Sequence, residues 1–382
     1  MTRLEVIGKA LSGSISWIDA AVVLGVTARQ MRRLRRRYEI FGMEGLLDGR
    51  GGLSRRRRIP DATVSKVLRL RRELYKDFSI RHLHEHLVER HQIGVSYTFV
   101  RDLLQLHGLA DKCGGVGRYL RKRERRPLPG MLLHLDASMH EWVGGLPPQD
   151  LVVALDDADG RILFARFFPQ EGVASTMAAL LHVLRVHGRF CQLYTDRGSH
   201  FCRTGRAGDG PADEQHGQVT RVLRALGIEH IRAMTPEARG RSERCFGTLQ
   251  GRLPQELRLH DIASYDAANR YLEQSFIGDF NRRFAVRPRE RGSAFTALTG
   301  VDLELVVSAQ HERIVQKDNT VVFERLHLQL QASAERMHYA RCPVLVHELV
   351  DDTLAVTFHG KLIGRFDRQG TPLALQYKRK VA

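Results

Sequence analysis

The sequence lacks long hydrophobic runs, paired cysteines and a balance of acid against base. No stretch of the 382 residues approaches the roughly 18 to 20 uninterrupted apolar residues that a membrane-crossing helix needs, and the longest early run, 20–26, follows Asp19. The start of the chain shows no secretion signal, so a cytoplasmic protein with no membrane role is expected. The five cysteines (Cys113, Cys191, Cys202, Cys245 and Cys342) are scattered, with no Cys-x-x-Cys pair. That excludes a disulfide framework and a cysteine-based zinc site. Acids are outnumbered: 43 Asp and Glu against 60 Lys and Arg leave a net charge of +17. Such a surplus favours a polyanionic partner, nucleic acid first. The length fits about two to four units, each able to bury a core.

The positive charge is clustered. Residues 16–24 read as a short amphipathic helix, Gly25 as a turn, and Thr27 as the N-cap of a second helix ending near Tyr38, the spacing of a helix-turn-helix. Val26, Met31 and Leu34 would pack across the small Ala21. That leaves Arg29, Gln30, Arg32, Arg33, Arg35, Arg36 and Arg37 for a DNA groove and its phosphates. Residues 49–58 read as a linker whose Arg55, Arg56, Arg57 and Arg58 contact phosphate. A second helical unit follows over 61–109, with stripes at Val64, Val67, Leu68, Leu70 and Leu74, at Ile80, Leu83, Leu87 and Val88, and at Phe99, Val100, Leu103 and Leu104 behind a Ser96 cap. His82, His84, His86 and His91 fall in this unit; with Cys113 alone downstream no zinc set is completed, and they read as surface residues. Residues 118–126, including Arg121, Lys122 and Arg123, precede Pro127 and Pro129 as an extended basic arm on DNA.

From Gly130 the pattern becomes mixed α/β. Residues 131–136 and 151–156 are apolar runs ending in Asp136 and Asp156, Asp159-Gly160 is a hairpin signal, and 161–168 is the return strand. A helix over 172–187 and a strand over 190–195 lead to Asp196. Asp156, Asp157 and Asp159 echo a calcium loop, but no closing Glu follows, which favours a turn. Residues 203–218 read as an inserted surface loop, followed by a helix at 219–226 and a strand at 228–233. A helix expected over 240–259 carries Glu243 near its start and should kink or break at Pro254. Residues 271–284 form a further helix. The tail reads as short strands at 312–316, 320–324, 326–330, 344–348, 354–358 and 361–366, a small β-barrel. Asp136 and Asp196 each end a strand, where α/β folds commonly place chemistry. Carboxylates are the ligands hard Mg²⁺ prefers, and two such ions can activate a nucleophile, stabilise a leaving oxygen and offset phosphate charge.

Three motifs then carry a resemblance: His134-Leu135-Asp136-Ala137-Ser138, Tyr194-Thr195-Asp196-Arg197-Gly198-Ser199-His200-Phe201, and Thr235-Pro236-Glu237-Ala238-Arg239-Gly240-Arg241-Ser242-Glu243-Arg244. In this order they resemble the Asp-Asp-Glu core of bacterial insertion-sequence transposases, whose RNase H-like catalytic domain is shared with retroviral integrases. Phe246-Gly247-Thr248-Leu249-Gln250 and Lys317-Asp318-Asn319-Thr320-Val321 resemble further pieces of that lineage.

The resemblance implies that Asp136, Asp196 and Glu243 are catalytic ligands of two Mg²⁺ ions, for which Mn²⁺ substitutes. It implies cleavage at transposon ends and strand transfer into target DNA by a nucleoid-associated homo-oligomer acting on double-stranded DNA, with no small-molecule substrate. Arg239, Arg241, Arg244 and Arg252 would hold phosphates. A domesticated DNA-binding regulator that keeps the core as scaffold is the alternative. The expected division is a helix-turn-helix domain at 1–50, a second helical domain at 51–110, a basic linker at 111–129, the catalytic domain at 130–286, a linker at 287–304 and a small β-barrel at 305–382. The gap from Asp196 to Glu243 is long for the wider family, which the 203–218 insertion explains.

Overall fold

A computed structural model describes residues 3–46, 59–111, 124–196, 217–232, 240–332 and 336–374. The chain forms two compact units, Met1–Arg69 and Leu70–Ala382.

In the first unit, α1 (Arg3–Leu11), α2 (Trp17–Val23) and α3 (Ala28–Phe41) enclose a small core of Val6, Ile7, Ala10, Ala20, Ala21, Met31, Leu34 and Leu46. Sequence periodicity identified the second and third helices; α1 is an addition that supplies Val6, Ile7 and Ala10. Ser16 caps α2, and Gly25 turns the chain at φ +63°, a conformation that costs glycine little. Thr27 caps α3 in a reciprocal box with Gln30. α4 (Asp61–Glu73) follows, with the division between the units falling inside it, after Arg69.

The second unit opens with α5 (Ile80–Glu89) and α6 (Tyr97–Leu106), capped by Ser79 and Ser96. Its centre is a five-stranded mixed sheet of β1 (Leu132–His140), β2 (Gln149–Asp156), β3 (Ile162–Phe168), β4 (Gln192–Thr195) and β5 (Glu229–Arg232), ordered β3-β2-β1-β4-β5. The first three strands pair antiparallel, whereas β4 runs parallel to both β1 and β5. The Asp159-Gly160 turn joins β2 to β3 with Gly160 at φ +74°.

Alternation along the strands divides two cores. Leu133, Leu135, Val152, Ala154 and Leu193 face α7 (Val173–Val186) and α8 (Gln218–Ala225). Leu151, Val153 and Leu155 face α9 (Gly240–Gln250), α10 (Leu253–Leu259), α11 (Tyr265–Tyr271), a π-helical turn at Leu272–Phe276, and α12 (Ile277–Phe284). The edge strand β3 is not left bare. Asn281 accepts from Ile162 N at 2.8 Å and donates to Ile162 O at 2.9 Å, and Asn269 accepts from Phe167 N at 2.7 Å. These side chains occupy backbone groups that an open edge would offer to another chain.

The helix expected over 240–259 breaks beside Pro254, as expected: α9 stops at Gln250 and Pro254 sits in the first turn of α10, where its missing N–H has no intrahelical acceptor to lose. One sequence expectation changes. Asp136 does not end its strand, because β1 continues to His140.

After α13 (Leu303–Val306), β6 (Ala309–Ile314), β9 (Pro343–Glu348), β10 (Leu354–Phe358) and β11 (Lys361–Phe366) form one sheet ordered β11-β10-β9-β6, while β7 (Thr320–Phe323) and β8 (Leu326–Gln329) form a hairpin. They share a core including Val321, Phe323, Val346 and Val356. Among the described residues no pairing closes these strands into the expected barrel.

Candidate active site

Parallel pairing of β1 with β4 aligns Leu132 with Gln192, Leu133 with Leu193 and His134 with Tyr194. Continuing that register by two residues sets Asp196 opposite Asp136. Asp136 pairs with Val153 across β2, so it lies on the face of the sheet that α9 covers through Cys245, Phe246 and Leu249. Period-two alternation sets Asp196 toward the same face. Glu243 is in the first turn of α9.

One contact ties that helix to β1: Gln250 donates to Ser138 Oγ at 3.0 Å. Burial first, and then the charge of Asp136, push the Cys245 thiol up to about 12. Asp136 is 8 % exposed, Asp196 is half-buried and Glu243 is exposed. Asp136 and Asp196 thus share one sheet face, and Glu243 lies exposed in the first turn of the helix that covers that face. An all-oxygen donor set of this kind suits a hard divalent cation.

Asp157, which the sequence offered only as a turn residue, is the hub beneath this site. It is fully buried and accepts from His134 Nε2 at 2.8 Å, from Arg126 N at 2.7 Å and from Arg241 at 2.9 Å. Burial alone would raise its pKa; these three partners overturn that and hold it well below the usual carboxylate range. Asp157 therefore pins the first turn of α9 to β1 and to the end of β2. Its neighbour Asp156 accepts from Gly130 N and Ala158 N, yet burial pushes it up to about 6. Asp159 closes its own turn by accepting from Arg161 N. The triplet is structural, as the turn reading expected, and Asp157 adds the tie to α9.

The basic candidates separate into groups. Arg29, Arg33, Arg36 and Arg37 are exposed on α3, and Gln30 beside them spends its Oε1 on the Thr27 cap. Arg241, expected on phosphate, is turned inward onto Asp157 with 10 % of its side chain exposed; the buried carboxylate is its partner. Arg252 likewise pairs with Glu85 at 2.6 Å. Arg244 is exposed and donates to Gly240 O. Arg55, Arg56, Arg57, Arg58, Arg121, Lys122, Arg123 and Arg239 lie outside the described residues, as does most of the 203–218 insertion.

The histidines depart from the surface reading. His82 is 2 % exposed and His86 is half-buried, and both Nε2 atoms converge on Glu256 Oε1, at 2.6 and 2.8 Å. Among the described residues, this is the group of three potential ligand side chains whose donor atoms lie within 4.8 Å of one another; the three acids are more widely spread. The i, i+4 spacing of His82 and His86 was visible in the sequence, but their partner lies 170 positions beyond His86.

In chain order, a helix-turn-helix precedes a mixed α/β sheet that carries Asp136. Residues 30–104 match a homeodomain-like domain family. The chain is 30% identical over 363 residues to "Putative transposase y4bF" of Sinorhizobium fredii (strain NBRC 101917 / NGR234), covering 94% of this chain and 79% of that one. It is 27% identical over 380 residues to "Transposase for insertion sequence IS1202" of Streptococcus pneumoniae, covering 90% and 81%. The chain belongs to the bacterial insertion-sequence transposases of the DDE type.

Among solved structures it is similar to the magnesium-bound catalytic core domain of HTLV-2 integrase in its trimeric form (19% identity, 37% of this chain and 82% of that one, TM-score 0.29). It is also similar to a simian T-cell lymphotropic virus intasome in complex with the PP2A regulatory subunit B56 gamma (14% identity, 82% and 100%, TM-score 0.35).

Proposed function

We propose that this transposase binds the ends of its element as a homo-oligomer and catalyses strand cleavage and strand transfer at Asp136, Asp196 and Glu243. The observation that supports the reading is the sheet register: continued by two residues it carries Asp196 toward Asp136, on the face covered by α9, whose first turn contains Glu243. These three side chains would hold two Mg²⁺, or Mn²⁺ in their place; such ions offset phosphate charge and activate the attacking oxygen. The protein's own contribution is position. β1 and the residue after β4 would position two carboxylates by register, and Asp157 and Arg241 fix the start of α9, the turn that contains Glu243.

Arg29, Gln30, Arg33, Arg36 and Arg37 would read and hold duplex DNA, with Arg244 on phosphate near the catalytic face; Arg55–Arg58, Arg121, Lys122, Arg123 and Arg239 complete that set. The six-part division expected from the sequence, including a terminal barrel and a nucleoid-associated cytoplasmic location, belongs to the same proposal.

The test is cleavage and joining of duplex DNA carrying the element's ends, with Mg²⁺ or Mn²⁺. Asp136→Asn, Asp196→Asn and Glu243→Gln should each reduce both steps by roughly a thousandfold or more, the scale on which enzymes lose rate when preorganised charge stabilisation is removed, while retaining DNA binding. Full activity in any of the three would sink the assignment.

A further inference from the structure

α5 places His82 and His86 one turn apart on the same face, and α10 brings Glu256 against them. The three donor atoms form a triangle with edges of 2.6, 2.8 and 3.3 Å. Ligands about 2.0–2.1 Å from a tetrahedral ion are separated by about 3.3 Å. The edge between the two imidazole nitrogens already has that length, and the two edges to Glu256 need to open by about 0.5–0.7 Å. Without an ion, both Nε2 groups must point protons at one carboxylate oxygen while facing each other; a dication does the work of both protons.

The surroundings favour an ion. Phe78 stacks on His82 with ring centroids 4.2 Å apart, and Tyr75 and Phe78 each lie 5.3 Å from His86, so both rings are held. Of the cations around the site, Arg252 and Arg283 pair with Glu85, and Arg283 also with Glu89, while Arg90 lines the adjoining cavity. A cavity of about 480 Å³ lined by His82, His86, Glu256, His260 and Tyr271 leaves room for a water as fourth ligand. His82 Nδ1 has no hydrogen-bond partner among the described residues, so that ring is oriented by stacking, without an outer-shell acceptor, and binding should be weaker than at a fully supported site.

We propose that His82, His86 and Glu256 form a transition-metal site of the Zn²⁺ class that clamps α5 to α10, separate from the catalytic acids. Two imidazoles and one carboxylate select Zn²⁺ or Co²⁺ over Mg²⁺. The clamp fastens the helix that directly follows α9, and hence the element bearing Glu243, to the helical region before the sheet.

The test uses the full chain stripped of metal and titrated with Co²⁺, then with Zn²⁺ alone. The expected result is one tetrahedral Co²⁺ spectrum per chain, displaced by Zn²⁺, kept in Asp136→Asn and weakened at least ~100-fold in both His86→Gln and Glu256→Gln, more than the loss typical of an outer-shell change. No tetrahedral band in the unaltered chain, or bands that survive in both variants, would overturn the proposal. Should the variants misfold by circular dichroism, X-ray absorption of the Zn²⁺-loaded unaltered chain decides. Two imidazoles in the ion's shell support the site, and a shell of oxygens alone refutes it.

Discussion

At the scale of single residues, Asp157 shows how much of the proposed catalytic face can rest on one buried side chain. It is fully buried and tied to His134, Arg126 and Arg241, so removing its charge leaves an arginine and a histidine without their partner. Breaking one side of a buried ion pair costs about 3–5 kcal/mol. Asp157→Asn should lower unfolding stability by an amount in that range, measured by denaturant titration at neutral pH. It should also slow strand cleavage with Asp136, Asp196 and Glu243 intact, because the first turn of α9 loses its anchor. A variant of unchanged stability and rate would show that the cluster is redundant. Substituting the neighbouring Asp159, which satisfies only its own turn, should cost less.

At the scale of elements, the edge of the catalytic sheet and the C-terminal sheet make separate predictions. Asn281 occupies both backbone groups of Ile162 on β3. Asn281→Leu strands a partly buried N–H and C=O, at about 1–3 kcal/mol, and should increase aggregation by exposing a pairing edge; light scattering during mild heating reads both effects. On β9, His347 is 3 % exposed, hydrogen-bonds Ser308 and Thr357, and has its pKa lowered by burial from 6.5 to about 4. Above pH 6.5 neither state is protonated at this ring. Between pH 6.5 and 4 the unfolded chain takes up a proton that the fold refuses, so stability falls with falling pH, by up to about 3 kcal/mol. Denaturant titrations at pH 7 and pH 4.5 should show a smaller acid loss in His347→Gln than in the unaltered chain. Equal slopes would remove His347 from the account.

At the scale of the whole molecule, a net charge of +17 makes salt the first variable of DNA binding. The logarithm of affinity should fall linearly with the logarithm of salt concentration. Arg33→Ala or Arg36→Ala on the exposed face of α3 should each reduce that slope by about one. Arg241→Ala, whose side chain faces Asp157, should leave the slope unchanged while lowering stability. Fluorescence anisotropy on a labelled duplex across a salt series separates the two classes of arginine. Among the described residues no helix is long and apolar enough to cross a membrane.

The sequence by itself determined the elements that local chemistry controls. Ser16, Thr27 and Ser96 cap helices because their side chains satisfy free N–H groups, and Asn319 and Gly360 turn strands at positive φ. Alternation and apolar stripes marked the sheet and its helices, and three spaced motifs pointed to Asp136, Asp196 and Glu243. Only the tertiary structure decided which distant groups meet. Asp157 with Arg241, Arg252 with Glu85, and His82 and His86 with Glu256 are each joined across 84 or more positions. Helical periodicity could mark His82 and His86 as neighbours on one face, but no local pattern encodes the glutamate that closes their set. Burial then separates the arginines: those on α3 lie exposed to solvent, whereas Arg241 meets a buried carboxylate at the start of α9, because desolvation demands a partner where water is excluded.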